Sequence, residues 1–243
     1  MTKIKKTIII IAAIVLALVL IGLWVLFNNG LLGVHFHKEA KEGQIKVACV
    51  GDSITYGHGI SEWLHYNYPA QLQDMLGDKY HVENFGHSGR TLSDNGDKPY
   101  TKSEQFKLSL EYDADIVVIM LGTNDTKPQN WTDINTFADE YDEFIKLYRE
   151  NNPDVRIIIC TPANAFFPKG QKDGKTNFDI QPKHITEISY RLRLLALARG
   201  CELVDIYDLT RNHKEWFEAD NVHPDADGAN AIAEAVGNKI INK

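Results

Sequence analysis

Residues 115–121 read DIVVIML, and every side chain after the leading aspartate is apolar. Such a run has no polar face to give to water, so it predicts a strand covered on both sides, as in parallel sheets. Four more strand-like runs share the chain: IKVACV at 45–50, HVEN at 81–84, VRIIICT at 155–161 and ELVD at 202–205. Helical patterns lie between them. Residues 68–76 carry Pro69 near their start and Gly77 at their end. In 132–150, Ile134, Phe137, Tyr141, Phe144 and Tyr148 recur at helical spacing. In 182–199, Ile185, Ile188, Leu192 and Leu195 do the same, and Gly200 stops the helix. Asp225 or Asp227 is positioned to cap a final helix running to about residue 241. The alternation predicts an α/β fold, a three-layer α/β/α sandwich with a central parallel sheet of about five strands. Sheets of this kind hold their ligands at the carboxyl ends of the strands, so the residues just after each strand are the ones to inspect.

The N-terminus is a separate problem. Residues 7–27 (TIIIIAAIVLALVLIGLWVLF) contain no charge. As a helix they span roughly 31 Å, about the hydrocarbon thickness of a bilayer. Lys3, Lys5 and Lys6 precede the run, which puts the N-terminus in the cytoplasm, and Trp24 stands near the far interface. A cleaved signal peptide is the competing reading. It calls for a shorter apolar core and a small-x-small cleavage site, whereas this run ends in WVLFNNG with no A-x-A. The expected organisation is a cytoplasmic segment (1–6), a signal-anchor helix across a bacterial-type plasma membrane (7–27), a linker (28–43) and an extracytoplasmic domain (44–243). Cleavage would leave the same domain secreted. His35 and His37 make an H-x-H in the linker, and two ligands alone do not build a metal site.

Charge narrows the partners. Three of the 26 basic residues lie in the first 30, so the rest of the chain sets 23 against 33 acidic residues. An acidic domain argues against nucleic acid, whose phosphates require a cationic surface. Cys49, Cys160 and Cys201 have no metal-ligand spacing and read as buried thiols.

Four loops carry polar residues of a chemically useful kind. Gly51-Asp52-Ser53 follows the first strand; alone it reads equally well as a polar helix cap, and it is not the G-x-S-x-G elbow, because Thr55 stands where that motif has glycine. Asn84-Phe85-Gly86-His87-Ser88-Gly89 follows the second, with two glycines that permit tight turning and expose N–H groups. Gly122-Thr123-Asn124-Asp125 follows the third and offers a side-chain amide. Asp220-Asn221-Val222-His223 precedes the last helix, with an aspartate three residues before a histidine, able to reach its Nδ1 and leave Nε2 free.

Together, in this order, the four blocks resemble the GDSL-type esterases, the SGNH hydrolase family. The resemblance covers about residues 45–240, with Ile54 standing where the family usually has leucine. It implies a flavodoxin-like sheet, Ser53 as nucleophile, His223 as general base and Asp220 as its orienting acid. It also implies an oxyanion hole from the backbone N–H groups of Ser53 and Gly89 and the amide of Asn124. No metal or organic cofactor takes part in such a mechanism. Asp52 and Asp125 are expected to hold loop shape. His58, His65 and His87 are candidates for substrate contact.

The substrate is less constrained. Phe166 and Phe167, in the long 163–181 loop, either wall a pocket or pack that loop onto the domain. Tyr100, with Tyr56, Trp63, Tyr66 and Trp131, lies near the same edge, and aromatics mixed with polar groups suit a sugar. The stretch 68–100 is similar to carbohydrate O-acetylesterases of the family. The leading expectation is therefore an ester hydrolase acting on O-acetyl groups of a glycan, or on a small ester. The alternatives are a lysophospholipase or thioesterase for longer acyl chains, an O-acyltransferase, and a glycan-binding module without catalysis.

Overall fold

The computed structural model describes residues 3–171 and 176–242. Met1 and Thr2 of the expected cytoplasmic segment, residues 172–175 of the long loop, and Lys243 lie outside the described residues. The chain opens with helix α1 (Lys3–Asn28). Within it, Ile9–Asn28 is long and apolar enough to cross a membrane or to act as a signal sequence, and none of it is buried against the protein. Strand β1 (Ile45–Gly51) then enters the domain, followed by α2 (Ser53–Tyr56), α3 (Trp63–Tyr66), α4 (Tyr68–Leu76) and β2 (Tyr80–Gly86). Next come α5 (Glu104–Glu111), β3 (Ile116–Met120), α6 (Ile134–Asn151), β4 (Arg156–Cys160) and α7 (Pro182–Arg199). The chain closes with β5 (Glu202–Val204), α8 (Ile206–Thr210) and α9 (Ala226–Ile241).

The five strands form one parallel sheet in the order β2-β1-β3-β4-β5. Successive side chains alternate between its faces. Val47, Cys49, Val118, Met120, Ile158 and Cys160 enter a core shared with Leu72 of α4 and Ile232 and Val236 of α9. Ala48, Val50, Val117, Ile119, Ile157 and Ile159 enter a second core with Tyr141 and Ile145 of α6 and Leu192 of α7. Both faces are covered, which is why these strands read as unbroken apolar runs. Cys49 and Cys160 are fully buried free thiols, while Cys201 is partly exposed.

Residues 31–40 form neither helix nor strand, yet the stretch after α1 lies against the domain. The Gly59 N–H donates to the Asn29 carbonyl (3.0 Å), and the Tyr56 hydroxyl donates to the Val34 carbonyl (3.0 Å). His37 bridges Glu83 (2.8 Å) and Gln105 (3.0 Å), and the Lys38 N–H donates to Glu83 (3.1 Å). Glu83 is buried on an edge strand, and a buried carboxylate requires partners of this kind. Tyr56 and Trp63, expected near a sugar-binding edge, are instead nearly inaccessible beneath this strap, with ring centroids 4.5 Å apart.

His35 packs between the rings of Tyr56 (5.1 Å) and His87 (5.6 Å). Burial, then the neighbouring His87 and His37, push its pKa down to about 4. A histidine whose pKa is depressed by docking favours the docked state above its free value of 6.5, and that preference fades as the pH falls toward about 4. The strap should therefore loosen over this window. Fluorescence of Trp63, whose ring meets Gly30, should change between pH 7 and 4 in wild type and change less in His35→Phe.

Candidate active site

Register brings the three candidate loops together. Gly51 ends β1 level with Gly86 of β2 and with Met120 of β3, so the loops that follow emerge side by side at the carboxyl edge. Two close approaches fix them. A Cβ on Gly51 would stand 2.0 Å from Thr55 Oγ1, and one on Gly86 would stand 2.2 Å from the Tyr56 backbone nitrogen. Only glycine allows α2 to fold back over the strand ends.

Ser53 begins α2. Asp52 caps it, its carboxylate accepting the Ile54 N–H at 2.9 Å, and Gly57 ends it at φ 93°. As the first residue of a helix, Ser53 has a backbone N–H with no intrahelical acceptor. Gly89 turns its loop at φ 79°. Among the described residues, neither the Ser53 nor the Gly89 N–H has a hydrogen-bond partner. The Asn124 amide donates to the Arg90 carbonyl at 3.1 Å and makes a long 3.4 Å contact with Asp52. Asp125 is buried and accepts the Leu92 and Ser93 N–H groups at 3.0 and 2.8 Å, tying the Gly89 loop to the Asn124 loop. Burial pushes its pKa up to about 7, against the pull of those two bonds. Burial likewise raises Asp52, against the pull of the Ile54 N–H and the nearby His223.

His223 arrives from the far end of the chain. An antiparallel bridge between Phe217 and Pro224 fixes its backbone, and the Asp225 side chain caps α9 just beyond. Asp220 accepts the Val222 and His223 N–H groups through Oδ1 (2.8 and 2.9 Å) and meets His223 Nδ1 through Oδ2 at 2.7 Å. His223 Nε2 lies 2.8 Å from Ser53 Oγ. Burial works against the charge on Asp220, but the His223 hydrogen bond and the two backbone donors outweigh it and hold the carboxyl below its ordinary range. A serine hydroxyl, an imidazole and an ionised carboxylate thus form one hydrogen-bonded line, with two unpaired N–H groups on the strand-end loops. The arrangement can activate a hydroxyl and stabilise an oxyanion.

The other expected residues divide. His58 packs against His223, with ring centroids 4.8 Å apart. Burial, then the His223 charge, lower its pKa. His65 lies on the exposed face of α3. Tyr100 is not available to a ligand: it is fully buried and its hydroxyl donates to the Phe85 carbonyl at 2.6 Å. Phe166 packs edge-to-face on Phe217 (5.1 Å) as part of a core cluster, so it holds its loop to the domain. The Phe167 carbonyl accepts a bond from Lys214 at 2.9 Å. Phe178 does place a ring at the site, 5.3 Å from the His223 ring and 53% exposed. Sequence inspection missed it because its placement depends on a left-handed backbone (φ 60°) that a phenylalanine seldom adopts.

Comparisons with known proteins bear on the family and the fold. A model of the GDSL-like lipase/acylhydrolase family matches residues 49–231. An acetylxylan esterase of Xylanibacter ruminicola is 37% identical over 82% of this chain, which spans 44% of that protein's length. Among solved structures, a carbohydrate acetylesterase from Sinorhizobium meliloti has a TM-score of 0.67 at 21% identity, covering 82% of this chain and 99% of that one. An acetyl xylan esterase has a TM-score of 0.63 at 25% identity, covering 81% and 100%. The fold is a three-layer α/β/α sandwich with a parallel sheet, shared with these neighbours. The chain belongs to the GDSL-like lipase/acylhydrolase family, a class of carboxylic ester hydrolases.

The close approach at Gly86 gives a direct test. Gly86→Ala forces a backbone collision and should cost about 3 kcal/mol of stability. Urea denaturation should show a lowered midpoint, and an unchanged one would contradict the packing of α2 on β2.

Proposed function

We propose that this chain is a serine esterase that removes O-acetyl groups from a carbohydrate, held by α1 at the outer face of a plasma membrane. One observation carries the catalytic part: the continuous line from Asp220 through His223 to Ser53. Ser53 Oγ attacks the ester carbonyl while His223 Nε2 takes its proton. Asp220 keeps Nδ1 protonated and stabilises the imidazolium. The carbonyl oxygen, now negative, takes hydrogen bonds from the Ser53 and Gly89 N–H groups and from the Asn124 amide, which exchanges its long contact with Asp52 for the stronger acceptor. His223 then protonates the departing sugar oxygen, which leaves as a hydroxyl, and an acetyl-serine remains. Water, deprotonated by His223, attacks that ester; the proton returns to Ser53 and acetate leaves.

The acetylxylan esterase relative supports the choice of an acetyl group on a glycan. Its apolar length and the exposure of its side chains support α1 as an anchor. The linker of the sequence reading becomes, in this proposal, a strap that joins the anchor to residues 44–243.

The test uses the full chain in detergent micelles with the acetyl and octanoyl esters of p-nitrophenol. The acetyl ester should be preferred; preference for octanoyl would move the assignment to longer acyl substrates. Ser53→Ala should lose at least about 10⁴-fold in kcat, and Asp220→Asn about 10⁴-fold. Asn124→Ala should lose about 10²- to 10³-fold. Wild-type turnover in Asp220→Asn would overturn the assignment of the triad.

A further inference from the structure

The loop that carries Gly89 also carries two cations, Arg90 and Lys98, which stay out of ion-pair distance of the loop's own Asp94 and Asp97. Arg90 follows Gly89 directly, and its Nη2 donates to His87 Nε2 at 3.2 Å. Burial, then Arg90 and Lys98, push His87 down to about 4, so near neutrality the imidazole is uncharged and accepts this bond. Arg90 Nη1 faces the Pro99 carbonyl at 3.5 Å, and Nε is enclosed with no partner. Lys98 comes from the other arm of the same loop. Its Nζ lies 3.9 Å from where a Cβ on Gly89 would stand. Among the described residues, neither Arg90 nor Lys98 forms an ion pair. Arg156, Arg193, Arg199 and Arg211 each meet a carboxylate, whereas Arg149 bonds a backbone carbonyl instead; what sets Arg90 and Lys98 apart is their place beside Gly89. In a domain with a large acidic excess, two adjacent unpaired cations beside the candidate oxyanion loop call for a ligand.

We infer that Arg90 and Lys98 form an anion subsite next to the ester-cleaving centre, so that the preferred substrate is an acetylated glycan bearing a carboxylate or phosphate on the esterified residue or its neighbour. The inference rests on the esterase reading above and narrows its substrate class. Gly89 supplies the reason for the spacing. In the esterase reading its N–H donates to the ester oxygen, while Lys98 Nζ approaches the side where a Cβ would stand, so an anion within about one sugar ring of the ester reaches the ammonium. The Arg90 guanidinium, steadied by His87, offers paired N–H groups suited to a planar carboxylate or to a phosphate. Both cations are at least partly open to water, so their contribution is screened by salt.

Binding is tested apart from turnover. The full-length Ser53→Ala chain in micelles is titrated with unesterified trigalacturonate and, separately, with oligo(glycerol phosphate). One of the two should bind; which one distinguishes carboxylate from phosphate. Binding should weaken at least about tenfold in about 0.5 M salt, and by a similar factor when Arg90→Gln and Lys98→Gln are added. Binding of neither anion, or binding indifferent to these changes, overturns the subsite. Wild-type hydrolysis of acetylated neutral xylo-oligosaccharides reports on the esterase reading independently. An enzyme that cleaves them while the Ser53→Ala chain ignores both anions keeps the esterase and loses the subsite. On acetylated polygalacturonate the Arg90→Gln/Lys98→Gln chain should show a raised KM with a smaller change in kcat, which loss of loop structure would not produce.

Discussion

The whole site depends on how closely one turn of backbone lies against the ends of two strands. Thr55 and Tyr56 cross Gly51 and Gly86 at distances that leave no room for a single carbon. That contact aims the start of α2, and with it Ser53, along the carboxyl edge instead of away from it. Asp52 and Asp125 complete the frame from inside. Asp125 fastens two loops through the Leu92 and Ser93 N–H groups, while Asp52 caps α2 through the Ile54 N–H and meets the Asn124 amide. Their environment disfavours charge, and the hydrogen bonds are what make them tolerable there. Flexible loops at the end of a sheet thereby acquire the stiffness that a hydroxyl, an imidazole and an oxyanion pocket require of one another.

The central elements were legible because their physics is local. β3 is apolar throughout, β4 is apolar after Arg156, and α6 repeats its buried side chains from Phe137 to Tyr148, so sequence and structure agree to within a residue or two. What escaped notice had a physical reason each time. The helices α2, α3 and α8 have four or five residues, too few to show a period. The buried face of α5 is made by Gln105 and Ser109, which look like surface residues in a string of letters. Tyr100 stands in a polar loop and reads as exposed, but one carbonyl, that of Phe85, satisfies its hydroxyl and lets the ring sink into the core. At the site, the residue types and their order were readable. Phe178 was not, since its position is decided by a backbone conformation that leaves no trace in composition.

Some surface cations and carboxylates pair at helical spacing or across neighbouring elements, as in Lys146 with Asp142 and Arg193 with Asp205. Such pairs contribute little individually and mainly keep the surface wet. The loop that presents the unpaired Gly89 N–H also presents Arg90, bonded to His87 and the Pro99 carbonyl, and Lys98, neither of them in an ion pair.

The tie between Asn29 and Gly59 also sets a length. A free chain over residues 29–37 would let the domain wander by about 16 Å around the end of α1. Docked as it is, that stretch has almost no slack, and Gly59 is next to His58, whose ring lies on His223. The distance from the end of α1 to Ser53 is therefore a constant of the fold and not an average over a tether. A bilayer holding α1 would hold the catalytic centre in one plane just above it. An ester would then be encountered by sliding along that plane, and long polymers by the segment lying nearest the surface.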